Sequence, residues 1–147
     1  MSAWLRYGFV KLQAITLLVL GRKRAALRRF DVMARLMPAR RYVMASRAHL
    51  LVELGDKQLA VLALQDLTVA HPHSAAAWFN LAYVLDELGR EDGAEAAFLQ
   101  AVRIEPKLDR AWYGLALLLI RNRRFDEAVQ ALIRNTELQP MSPFGWY

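Results

Sequence analysis

The side chains of this sequence that could do chemistry are three histidines and the adjacent carboxylates around one turn. His71 and His73 flank Pro72, and two histidines one residue apart can share a metal ion. The chain has no cysteine and no carboxylate cluster joins that pair, so His71-Pro72-His73 is expected to be a solvated turn, not a metal site. Asp86-Glu87 and Glu91-Asp92 have the composition of an acid–base pair. They flank the short turn at Gly89-Arg90 on helical surface, where such carboxylates serve solubility. There is no cysteine nucleophile, no glycine-rich phosphate loop and no zinc-protease motif. The chain is therefore expected not to be an enzyme, and to use no cofactor, metal or small-molecule substrate.

The charged residues point instead to a surface. Residues 1–41 hold ten Lys or Arg against one acid, Asp31, a net charge of +9. Residues 42–147 hold ten basic and thirteen acidic residues, a net −3. A basic head on a mildly acidic body is suited to an anionic membrane surface, nucleic acid or an acidic protein. The patch comprises Arg6, Lys11, Arg22, Lys23, Arg24, Arg28, Arg29 and Arg35. Basic–aromatic motifs of recognised nucleic-acid modules are missing, so nucleic acid is not the expected partner. The apolar fraction of 56% is high, and that surplus must be covered by packing, a partner or lipid.

These residues must be positioned by helices. No stretch alternates with period two, and apolar residues recur at helical spacing over 2–20, 22–36, 41–54, 57–70, 75–88, 91–104, 109–121 and 125–138. The first of these, apolar and basic, has no cleavage site after it and is followed by Gly21-Arg22-Lys23-Arg24, which opposes export. It offers about 28 Å of helix with Arg6 and Lys11 inside, so a membrane span is not expected. Two uses remain: Trp4, Leu5, Phe9 and Leu12 lie in a membrane interface, or Leu12, Ile15 and Val19 pack on the next helix.

The helices repeat. Pro38, Pro72, Pro106 and Pro140 are 34 residues apart, as are Ala26, Ala60, Ala94 and Ala128. Phe30, Leu64, Phe98 and Leu132 follow those alanines, and Gly21, Gly55 and Gly89 share the register, with Arg123 in the glycine's place in the last copy. Small residues let helices approach, large apolar ones four residues on fill the gap, glycine permits the left-handed turn, and proline stops the second helix. Trp78, Leu81, Ala82, Leu85, Ala94, Phe98 and Pro106, echoed by Trp112, Leu115, Ala116, Leu119, Ala128, Leu132 and Pro140, closely resemble the tetratricopeptide repeat. The second copy departs with Met44 and Arg47, and the first with Val10 and Gln13.

The resemblance implies an all-α fold, an α-solenoid of about four helix-turn-helix repeats wound as a right-handed superhelix. It forms one array over 1–147: a divergent copy at 7–40, then 41–74, 75–108 and 109–142, and the start of a fifth at 143–147. Residues 1–20 are its apolar and basic N-terminal helix. The function implied is a protein–protein interaction adaptor or scaffold that binds a peptide or helix in a concave groove. The inward positions carried over from the family are Tyr42, Ser46, His49, Phe79, Asn80, Tyr83, Arg110, Tyr113, Leu117 and Arg121. The basic residues that clamp a terminal carboxylate in some members are matched by Lys11, Asn80 and Arg110 but not by Ile15, Ala76 or Gly114. The sequence stops five residues into a fifth copy, so two expectations stand: the repeat continues past Tyr147, or Phe144 and Trp146 form a terminal apolar contact with something that covers them. The expected placement is cytoplasmic, with docking on the cytoplasmic face of a membrane, as an assembly factor of a membrane protein complex, as the alternative role of the basic head.

Overall fold

The computed structural model describes residues 2–38 and 40–138. Eight helices follow one another: α1 (Ala3–Val19), α2 (Lys23–Leu36), α3 (Arg41–Glu53), α4 (Lys57–Ala70), α5 (Ala75–Glu87), α6 (Glu91–Ile104), α7 (Asp109–Arg121) and α8 (Phe125–Leu138). No strand occurs among the described residues. Pro140, Phe144 and Trp146 lie outside them.

The pairs α1–α2, α3–α4, α5–α6 and α7–α8 are joined by one repeated turn. Gly21, Gly55 and Gly89 have φ of 68°, 78° and 69°, and Arg123 takes the same left-handed conformation at 59°. The N–H of each donates to the carbonyl three residues back at 2.9–3.0 Å, and the next N–H donates to the carbonyl five back at 2.8–3.0 Å. This satisfies carbonyls that a helix end would otherwise leave open. The end of the second helix is fastened differently. Trp112 Nε1 donates to the Pro106 carbonyl at 2.9 Å, so the proline that stops α6 also anchors the first turn of α7.

Chain contacts divide the protein into two compact units, with the boundary between Pro72 and His73. In the first unit α1 packs on α2, α2 on α3 and α3 on α4. Its core holds Tyr7, Ala14, Ala26, Phe30, Met33, Val43 and Leu50. In the second unit α5 packs on α6, α6 on α7 and α7 on α8, around Leu81, Phe98, Ala101, Leu115 and Leu118. The alanines in register, Ala26, Ala60, Ala94 and Ala128, are at most 1% exposed, so each sits where two helices touch and no larger side chain would fit. Phe30, Leu64 and Phe98 are buried one turn on, while Leu132 is half-buried.

One expectation for α1 is corrected. Leu12, Ile15 and Val19 do not pack on the next helix; they are exposed. Tyr7, Val10, Ala14, Leu17 and Leu18 pack instead. The helix is apolar nearly all round, so periodicity could not choose its buried side. Small Ala14, fully buried, marks the side on which α2 approaches.

Candidate functional site

In the second unit the inward positions lie on α5 and α7. Arg110 Cζ stands 5.6 Å from the centre of the Phe79 ring, and Arg121 hydrogen-bonds Asp86. Both contacts join α5 to α7, and they advance together along the two helices, so these helices run parallel. Between them lies a strip containing Asn80, Tyr83 and Leu117, all exposed, with Tyr83 50% and Leu117 45% accessible. Tyr113 and Phe79 are half-buried. The Phe79 ring rests 6.1 Å from the buried Phe98 ring, which fixes its direction.

The electrostatics of the strip are set by neighbouring carboxylates. The Glu87 charge, a hydrogen bond to the same carboxylate and slight burial hold the Tyr83 phenol above the usual tyrosine range. Tyr83 therefore stays neutral and carries its acidic neighbour with it. Arg121 is held above its already high range, chiefly by its hydrogen bond to Asp86, and it also reaches Glu91 Oε1 at 3.2 Å. The carboxylates expected to serve solubility thus have a second task. Asp86 and Glu91, from the two sides of the Gly89 turn, hold one arginine of the next repeat. Such half-exposed pairs contribute little stability, roughly 0–1 kcal/mol each, and act mainly to orient the side chain.

In the first unit the inward positions are Tyr42, Ser46 and His49 on α3. Tyr42 is exposed, with Lys11 Nζ 5.4 Å above its ring and Phe30 6.1 Å away on its inner side. Ser46 is half-buried and His49 exposed, its Nε2 3.7 Å from Glu53 Oε2. The turn at His71-Pro72-His73 is solvated at Pro72 and His73. His71 differs: its Nε2 is buried without a hydrogen-bond partner among the described residues. Among the described residues no three histidine or acidic side chains converge as a metal site would require.

Every residue of the basic patch is exposed. Lys23 pairs with Glu53 at 3.2 Å and Lys11 lies over Tyr42. Arg22, Lys23, Arg24 and Arg28 surround a shallow cleft floored by Gly21, Ala25 and Leu54. The lone acid of this segment, Asp31, does not neutralise them. It accepts from Arg47 Nε of α3 at 2.7 Å. No helix among the described residues is long and apolar enough to cross a membrane.

Three positioning contacts lie outside the residues singled out from the sequence. Arg40 lies 5.0 Å over the Tyr7 ring. Arg124 binds Glu127 through Nε and Nη2, and Glu95 through Nη1. Asn135 is buried, donating to the Asp109 carbonyl at 2.9 Å. A signal for Asn135 does lie in the register, since its matches Met33, Leu67 and Ala101 are all apolar. The signal for Arg47 is its departure from the family's leucine, in a segment whose single acid is Asp31.

A search of curated proteins found no match. Among solved structures, one of MamA is 22% identical, with a TM-score of 0.84 over 91% of this chain and 78% of that one. Residues 41 to the end of MamA from Desulfovibrio magneticus RS-1 are 21% identical, with a TM-score of 0.80 over 91% and 76%. YrrB, described as a TPR protein with an unusual peptide-binding site, is 19% identical, with a TM-score of 0.79 over 90% and 68%. At these identities the likeness is one of fold. The tetratricopeptide repeat family profile matches residues 46–109 and 106–140, and that repeat is typically a non-catalytic interaction module. With the 34-residue period, the recurring left-handed turn and the profile match together, the chain belongs to the tetratricopeptide repeat family.

Proposed function

We propose that this protein is a non-enzymatic adaptor or scaffold that holds a peptide or helix of a partner protein against its first-helix surface and serves a larger assembly. The observation that carries this reading is the exposed strip of the second unit. Asn80, Tyr83 and Leu117 lie between the Arg110–Phe79 contact and the Arg121–Asp86 pair. Half-exposed aromatic and arginine side chains held by neighbours make good anchors, because little of their freedom is left to lose on binding. The Asn80 amide can hydrogen-bond an extended backbone. Tyr42, Ser46 and His49 supply the corresponding positions of the first unit. The peptide-binding site described for YrrB supports peptide capture as a use of this fold.

The test is affinity purification from the native source with the wild type and a Tyr83→Ala, Tyr113→Ala double variant in parallel. Proteins lost from the variant, with its helical circular dichroism unchanged, are partners of the strip. An identical set of proteins on both would remove the strip from the account.

A second reading, compatible with the first, is favoured by the bare apolar side of α1. On this reading the adaptor docks on an anionic membrane surface, at its cytoplasmic face, as an accessory or assembly factor of a membrane protein complex.

A further inference from the structure

We propose that α1 lies flat in the interface of a bilayer rich in anionic phospholipid, its bare side among the upper acyl chains and Arg6 and Lys11 at the headgroups. This inference rests on the membrane-docking reading and makes it specific to one helix face. Trp4, Leu5, Phe9, Leu12, Ile15 and Val19 are between 40% and 81% exposed. At about 100° per residue they share one arc of roughly 140°, with Lys11 just beyond one edge and Arg6 beyond the other. Gly8 and Thr16 fall within the same arc, and the Thr16 hydroxyl donates back to the Leu12 carbonyl at 3.0 Å. The opposite side is already committed, since Tyr7 and Ala14 are buried and Val10, Leu17 and Leu18 pack with them. Polar residues are left only narrow borders between the two sides, Gln13 and Arg6 on one and Lys11 on the other. An apolar side of this width is ordinarily covered by packing, a partner or lipid.

Charge decides what covers the free side. No Asp or Glu occurs in α1, and the first acid of the chain, Asp31, is held by Arg47. Both edges of the arc are cationic, and Arg22, Arg24 and Arg28 of the same unit have no ion pair among the described residues. A partner helix covers an apolar stripe of roughly 100°, and would need carboxylates along both of its borders to answer Arg6 and Lys11. A bilayer surface presents phosphate on both sides of an inserted helix without any such design. A helix resting there sinks about 5–10 Å, which takes in the arc and leaves the cations at headgroup level. Trp4 near the helix start suits that boundary, since its ring is apolar and its N–H polar.

The experiment is co-flotation of the full chain with vesicles of phosphatidylcholine, or of phosphatidylcholine and phosphatidylglycerol in equal amounts, at low and high salt. The wild type is expected to float with the anionic vesicles at low salt, with a blue shift of tryptophan emission that Trp4→Phe removes. Phe9→Glu with Leu12→Glu is expected to abolish flotation, with unchanged helical circular dichroism because both positions are exposed. Arg6→Glu with Lys11→Glu is expected to lower partitioning by at least roughly 25-fold, from about fivefold per cation at such a surface. If the wild type floats and the Phe9→Glu, Leu12→Glu variant floats equally, membrane docking stands and the placement of α1 is overturned. If the wild type floats with neither vesicle, both fall. Oligomers that form without lipid and dissolve in that variant would assign the face to protein, and would also overturn the proposal.

Discussion

Arg110 sits over the ring of Phe79, 5.6 Å from its centre, and ties the first helix of one repeat to the first helix of the next. Lys11 over Tyr42 joins the same two register positions in the first unit, with ring and cation exchanged between the helices. The contact thus belongs to the repeat geometry, and either chemical order satisfies it. A double-mutant cycle with Phe79→Leu and Arg110→Gln should give a coupling of about 0.5–1 kcal/mol in denaturant unfolding. A coupling within error of zero would mean the two merely lie close.

Arg123 occupies the turn position that is glycine in the other three copies, at a φ of 59°. The left-handed conformation costs a residue with a Cβ roughly 1–2 kcal/mol. The Arg123 side chain makes no hydrogen bond or ion pair among the described residues, so little is lost by removing it. Arg123→Gly is therefore expected to stabilise the protein by about 1 kcal/mol, read as a rise in thermal midpoint. Gly89→Ala should lower stability by a similar amount. Equal midpoints for both variants and the wild type would show that the turn is not strained.

Gly114 is a close approach of backbone to ring. A Cβ at this position would stand 2.6 Å from Cε1 and Cζ of Phe98, which is itself only 2% exposed. The ring has nowhere to retreat without disturbing Phe79. Gly114→Ala is expected to cost about 1–3 kcal/mol by overpacking. Combining it with Phe98→Leu should cost less than the two changes summed, as a shared clash requires. Strict additivity would disprove the clash.

Arg124 holds Glu127 at 2.7 and 2.6 Å through two parallel hydrogen bonds. Those bonds, and then the arginine charge, keep the Glu127 carboxyl below the usual glutamate range. A depressed folded-state value means the pair's contribution is complete above the ordinary glutamate range. It is lost as pH falls through the depressed value. An NMR titration should place the Glu127 midpoint below that of an ordinary glutamate, and Arg124→Gln should raise it. An unchanged midpoint in the variant would assign the depression elsewhere.

The helices and their ends are legible in the amino-acid order. Period, turn residue, small residue and stopping proline all act within one turn or one hairpin, and their spacing is a property of the chain itself. That is why the expected segments 57–70, 91–104 and 125–138 coincide with α4, α6 and α8. The register also places Phe79, Tyr83, Arg110 and Leu117 on first helices, where the structure finds them. It does not supply the contacts that orient them. Arg121 with Asp86, Arg47 with Asp31 and Arg110 with Phe79 join residues 35, 16 and 31 apart, on different helices. Which of several arginines meets which acid depends on how the helices are rotated against each other.

Helix rotation is where the two sources of information part most clearly. In α1 apolar residues surround the axis, and their spacing gives no preference for one side. Packing chose the side of Ala14 and Tyr7, because a small residue there lets α2 come close. That choice alone left Trp4, Phe9 and Leu12 outside. The amino-acid order by itself determined that this chain is a repeated helical hairpin with a basic, apolar head. Tertiary structure decided which apolar face remains free, since only the contact between two helices distinguishes faces of equal hydrophobicity.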